Sequence, residues 1–217
     1  AASDVYKRQE LSLGGSMAFF SFLDQKRKKD ALRELAKERK RGISAEKLDK
    51  ANREIHLRLL QSPFFLEAER IFSYVSMEGE VDTRIILETA LQMGKRVCVP
   101  RCIPGKEHLM EAVEIHSMEE LIPQTYGILE PRKELPSSTD WCFDLSLIPC
   151  VMADQRGGRL GHGAGYYDRF LEKSKGKKLC LCFSWLLYDK IPMEKTDIPM
   201  DALLTDCLLY TSDAADE

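Results

Sequence analysis

Residues 157–170 read GGRLGHGAGYYDRF, with five glycines among nine positions, then two tyrosines, an aspartate and an arginine. Each glycine loses more conformational entropy on folding than any other residue, so a run this dense has to be offset by something it holds. The chemistry it suits is anion binding. Successive amides at a helix start offer unpaired donors and a favourable dipole, and the missing Cβ atoms let a phosphate approach the backbone. Arg159 adds a charged fork and His162 a further donor. Two familiar phosphate templates fail. The dinucleotide pattern GxGxxG is broken, and in the Walker pattern Gly158 leads to Gly163 and then to Ala164 instead of a lysine. A structural turn packed closely on a strand is the competing account of the same glycines. Asp168 falls in the first turn of the following helix. There it either caps the helix or faces phosphates through Mg²⁺, which takes one or two carboxylates plus phosphate oxygens and water. Tyr166 and Tyr167 are core rings or the wall of a flat-ligand site.

Open α/β sheets place ligands at the carboxyl ends of their parallel strands, so the elements around this stretch matter. A strand over 143–150 leads into the glycines, and YYDRFLEKSK (166–175) has helical spacing. Upstream, 24–42 predicts a basic helix with Ala31, Leu32, Leu35 and Ala36 on one face and Gly42 as its stop. Ser44 caps a second helix that ends before Pro63. Most of the charges on these helices read as a solvated face. Strand 70–77, helix 83–94 with Asp82 as its cap, and strand 95–100 closed by a proline make a βαβ unit with parallel pairing. A strand over 109–116 follows. Ser117 and Glu120 form a capping box, and 123–140 reads as loop. Strand 178–185 and a proline-bounded loop over 191–204 lead to a last short strand. The expectation is one three-layer α/β domain over 17–205, with a mostly parallel sheet, helices on both faces and basic N-terminal helices before it. Residues 1–16 and 206–217 are set aside as non-native or disordered extensions.

A formal charge of −3 over 217 residues argues against a dedicated nucleic-acid binder. No apolar run approaches the roughly 20 residues of a membrane span, and the first residues lack the pattern of a signal peptide. Seven cysteines without zinc-type spacing and four scattered histidines read as reduced thiols in a cytoplasmic protein. No obligate protein partner is implied.

With RLGHGAGYYD (159–168) in view, the chain resembles the 5-formyltetrahydrofolate cyclo-ligases. The likeness extends over about 26–205, through KDALR (29–33), YVSMEGEVDT (74–83), VPR (99–101), YGILEP (126–131) and IPMEKTDIPMD (191–201), in that order. It implies a three-layer α/β fold and an ATP- and Mg²⁺-dependent closure of 5-formyltetrahydrofolate to 5,10-methenyltetrahydrofolate. By the resemblance Lys29 and Arg33 reach ATP phosphates, and Arg159, Leu160 and Gly161 begin the ATP cradle. His162, Gly163, Ala164, Gly165 and Tyr166 continue it and line the folate as well, and Tyr167 closes it. Asp168 and Asp197 would hold Mg²⁺, with Arg159, Tyr167 and Asp168 the catalytic group. Val75, Glu80 and Tyr126 would contact folate. Histidine at 162 carries less charge near neutral pH than an arginine or lysine would. Two other classes remain open: a sugar-phosphate isomerase or CoA-transferase-like enzyme that needs no ATP, and a non-catalytic nucleotide- or folate-binding protein.

Overall fold

The computed structural model describes residues 23–105, 108–124 and 127–211. Residues 1–22 and 212–217 lie outside them, and with them most of the segments set aside at the two ends. Helix α1 occupies 23–41. Leu32 and Ala36 are buried one turn apart and Leu35 packs partly on the core, but Ala31 is exposed. At about 100° per residue the stripe centres on 32 and 36, which carries Ala31 off its far edge and brings 29 and 33 to its near one. Helix α2 (Ala45–Leu60) is capped as expected, Ser44 Oγ accepting from the Lys47 amide at 3.2 Å. An additional turn, α3 (Pro63–Leu66), follows. Ser62 caps it and Pro63 starts it, where a missing N–H costs nothing.

The βαβ unit is present as β1 (Arg70–Ser73), α4 (Arg84–Gln92) and β2 (Arg96–Cys102), with Ile71 paired in parallel to Val97. The residue at the cap position of α4 is Thr83, whose hydroxyl is engaged with Ser76 N and Tyr74 O and does not cap the helix, and Asp82 reaches past it to accept from the Arg84 amide. β2 also runs on through Pro100 instead of ending there. Its pairing with β1 ends at Cys98, so at Pro100 only one side belongs to a ladder and a lost donor is tolerated.

Strand β3 (Met110–Ile115) lies antiparallel on β2. Ser117 and Glu120 both cap here, but not as the reciprocal box: Ser117 Oγ accepts from Glu119 N and Glu120 Oε2 from His116 N, around a single 3₁₀ turn. The expected loop contains a two-stranded ribbon, β4 (Leu121–Pro123) with β5 (Leu129–Pro131). Then come β6 (Cys142–Pro149), β7 (Met152–Ala153), β8 (Arg159–Leu160), α5 (Tyr166–Leu171), β9 (Lys175–Leu181), β10 (Ala202–Leu204) and β11 (Leu209–Thr211). β11 falls within the C-terminal segment that the sequence reading set aside.

The sheet order is β11-β10-β9-β6-β1-β2-β3, parallel throughout except at its two edges. All four residues of β1 and the last five of β6 are buried, as strands covered on both faces must be. Phe170 of α5 stacks on Phe72 with centroids 4.3 Å apart, fixing the helix over the centre of the sheet. Among the described residues no helix is long and apolar enough to cross a membrane.

Candidate active site

A cleft of about 1800 Å³ opens where β1, β2 and β6 end, lined there by Tyr74, Val75, Pro100, Cys102 and Pro149. This is the edge at which an open parallel sheet binds its ligands. The site residues named from the sequence lie far apart in the chain, yet the fold brings them to this one cleft: Lys29 and Arg33 from α1, Val75 and Glu80 beyond β1, Arg159 through Asp168, and Asp197. Tyr126 lies outside the described residues, and its near neighbours Gln124 and Ile128 line the same cleft.

The structure divides the glycines between a packed turn and the wall of the cleft. Gly157 and Gly158 belong to the turn of the β7–β8 hairpin. Buried Asp154 organises that turn, its Oδ1 accepting from the Arg156 and Gly158 amides and its Oδ2 from Ile191 N. A Cβ on Gly158 would fall 2.3 Å from Asp154 Oδ2, so this glycine is needed for packing. Gly161, Gly163 and Gly165 line the cleft instead. Gly163 has φ +102°, a left-handed backbone that side chains resist, and its Cβ position is 3.1 Å from Arg33 Nη2. Arg33 pins the loop by donating from Nε to Gly161 O at 3.0 Å. Among the described residues the backbone amides from Gly161 to Asp168 donate to no protein acceptor. Because α5 is only six residues long, these open donors and not a long macrodipole favour an anion here.

Exposure separates the basic residues of α1. The Lys28 and Lys37 side chains are 58% and 63% exposed and pair along the helix, whereas those of Lys29 and Arg33 are only 12% and 20% exposed and face the cleft. Lys29 Nζ lies 2.6 Å from Asp197 Oδ2 and 3.6 Å from Glu194 Oε1. Arg159, buried below the loop, donates from Nη2 to Asp168 Oδ1 at 2.9 Å, and its Nε has no partner among the described residues. Ile198 N also donates to Asp168 Oδ1, at 3.3 Å, so the two aspartates stand at neighbouring points of the wall.

Each aspartate commits one oxygen in this way. Asp168 Oδ2 and Asp197 Oδ1 accept no hydrogen bond among the described residues. Nor do those residues contain a group of three or more His, Cys, Asp or Glu able to hold a metal. Two carboxylates with one open oxygen each fit a magnesium ion that completes its shell with phosphate and water, and do not fit an all-protein cage.

At the other side of the cleft, the Glu80 side chain is 6% exposed, and its Oε2 accepts from Met77 N at 3.0 Å. His162 Nε2 lies 3.4 Å from Glu80 Oε1, linking the glycine loop to this carboxylate. Burial, reinforced by the Glu80 charge, holds the Tyr167 hydroxyl far above the usual phenol range, so it acts as a neutral hydrogen-bonding group. Tyr166 meets His108 edge-on at 5.4 Å. The Cys102 thiol is pushed up to about 12 by burial and by the adjacent Glu130. Sequence reading singled out neither Cys102 nor Arg101, and reached Glu130 only as part of the YGILEP loop expected on the folate wall; all three line the cleft. VPR marked the place of Arg101, but its guanidinium is engaged with Glu111 and with the Arg132 and Leu135 carbonyls.

The mostly parallel sheet with a cleft across its strand ends is that of an α/β ligand-binding scaffold. The chain belongs to the 5-formyltetrahydrofolate cyclo-ligase family, whose profile matches residues 25–206. A probable 5-formyltetrahydrofolate cyclo-ligase of Caenorhabditis elegans is 30% identical, the match covering 81% of this chain and 91% of the relative. The 5-formyltetrahydrofolate cyclo-ligase of Escherichia coli K12 is 29% identical, covering 79% and 96%. The solved 5,10-methenyltetrahydrofolate synthetase of Aquifex aeolicus superposes with a TM-score of 0.75 at 28% identity, over 85% of this chain and 92% of that one.

Proposed function

We propose that the chain closes 5-formyltetrahydrofolate to 5,10-methenyltetrahydrofolate, using ATP and Mg²⁺ and releasing ADP and phosphate. One observation carries this reading: Lys29, Arg159, Asp168, Asp197 and the open amides of the glycine loop meet in the same cleft as the sheltered carboxylate of Glu80. Cations with free amides suit a triphosphate, and a sheltered carboxylate suits the amino and ring N–H groups of a pterin.

A formamide oxygen is a poor leaving group. In the proposed course it attacks the γ-phosphorus of ATP and ADP departs. The formyl carbon is left doubly bonded to N5 and bearing a phosphate. N10 then attacks that carbon, loses its proton, and the phosphate leaves with the original formyl oxygen. Phosphoryl transfer asks mainly for alignment and charge stabilisation. Lys29, Arg33 and the amides from Gly161 to Tyr167 hold the triphosphate. Arg159 holds Asp168 aimed, and Tyr167 donates a hydrogen bond as a neutral phenol. Val75 and Glu80 orient the pterin so that the formyl oxygen faces the γ-phosphate, with Tyr126 completing that wall. Asp168 and Asp197 would hold Mg²⁺, which neutralises charge on the phosphate oxygens when bound.

The test is direct. Protein mixed with 5-formyltetrahydrofolate and Mg-ATP should develop methenyl absorbance. Product that forms equally well without ATP would support the isomerase or transferase class. ATP binding without any product would support a binding protein.

A further inference from the structure

Each proposed metal ligand has a cation beside it. Arg159 meets Asp168 at 2.9 Å and Lys29 meets Asp197 at 2.6 Å. The two cations are not equivalent. The Arg159 side chain is 4% exposed, donates also to the Pro149 carbonyl and lies with its guanidinium 5.8 Å from the Tyr167 ring centroid. It is built into the floor. Lys29 reaches the cleft from α1 on a four-carbon stem, and an ammonium is a point charge with freely turning donors. Moving it a few ångströms breaks no backbone contact.

We propose that Lys29 is a resident counter-ion that an arriving triphosphate draws off Asp197, so that the nucleotide itself opens the metal site. The inference rests on the ATP- and metal-binding reading above. While Lys29 stays, a divalent ion faces an ammonium within hydrogen-bond distance of one of its only two carboxylates. Glu194 Oε1, at 3.6 Å from Lys29, holds the lysine on that side, and Glu194 N fixes the same Asp197 oxygen at 2.7 Å. The exchange moves one positive charge from carboxylate to phosphate and brings another to the carboxylate. Metal and nucleotide therefore bind with positive coupling, and the metal alone binds poorly.

The experiment measures Mn²⁺ binding to the full chain by the loss of its free-ion electron paramagnetic resonance signal, without nucleotide. The parent should bind weakly. Lys29→Met and Lys29→Gln should each bind Mn²⁺ about tenfold more tightly, since a charge in direct contact with the carboxylate has gone. Lys29→Arg should remain as weak as the parent. Adding Asp197→Asn to Lys29→Met should remove the gain. Unchanged Mn²⁺ affinity in both neutral variants, with circular dichroism like the parent's, would overturn the counter-ion role. A separate reading, proton relaxation of water in the presence of Mn²⁺ and a non-hydrolysable ATP analogue, tests the site itself. No enhancement from a ternary complex would remove the metal site, and this inference with it. Enhancement without any effect of Lys29 substitution would remove the inference alone.

Discussion

Arg159 and Asp168 form an ion pair at 2.9 Å beneath the glycine loop, with the arginine side chain 4% exposed and the carboxylate 22% exposed. The pair joins stability to chemistry, because the buried guanidinium requires a negative partner whether or not a ligand is present.

Asp168→Asn is therefore expected to change two properties by different amounts. An asparagine oxygen can still accept from Arg159 and Ile198, so the chain should fold, with unfolding free energy lower by about 1–3 kcal/mol for the lost counter-charge. The turnover number should fall by about a hundredfold or more, as when one charge-stabilising group is taken from an active site. Urea unfolding and methenyl formation measure the two separately. Near-parental turnover would remove Asp168 from the chemistry.

Gly163→Ala tests the loop as a cradle. The added methyl meets a left-handed backbone and the Arg33 guanidinium at 3.1–3.2 Å, so loop and arginine must shift together. The ATP KM should rise about tenfold with little loss of stability, since the strain falls in an exposed loop. Gly158→Ala should do the reverse and lower stability first, because its methyl overlaps the buried Asp154 carboxylate. Equal effects of both on the ATP KM would show that the loop has no such division.

Glu80→Gln replaces a two-oxygen acceptor with a group that offers one acceptor and one donor. Facing a pterin with two N–H donors, it should raise the KM for 5-formyltetrahydrofolate by about tenfold to a hundredfold and leave the ATP KM almost unchanged. The two KM values from one initial-rate series decide the matter. A change confined to ATP would reassign Glu80 to the nucleotide side through His162, its neighbour at 3.4 Å.

Cys102 should be slow to alkylate although its residue is exposed. Its thiol is pushed up to about 12 by burial of the sulfur and by Glu130, so little thiolate exists at pH 8. Peptide mass spectrometry after iodoacetamide treatment should show Cys102 labelled about a hundredfold more slowly than exposed Cys207. Glu130→Gln should speed it, because the thiolate then meets no negative neighbour. Labelling of Cys102 as fast as Cys207 would contradict this account.

Much of the order of elements could be read from the chain alone, since it depends on local patterns. Helical spacing and Ser44 mark α2, short apolar segments mark β1 and β2, and glycine density marks the segment after β6. Local pattern was insufficient where pairing with a distant segment decided the outcome. Pro100 signals an end only if both sides of its strand carry a ladder, and here one does not. The ribbon of β4 and β5 and the hairpin of β10 and β11 join near neighbours in the chain, but each strand is only three residues long, too short to show an alternating pattern.

For the site, the sequence by itself determined the kinds of groups available: glycines without Cβ atoms, basic residues at helical spacing and scattered acids. The tertiary structure alone decided which of them meet. Lys29 differs from Lys28 only in the direction its place on the helix assigns it, towards Asp197 instead of solvent. Asp154 and the first two glycines became structure, and the last three glycines became the wall of the cleft. The reason is physical: charge pairing and close approach depend on distance in space, and only folding sets that distance for residues 168 positions apart.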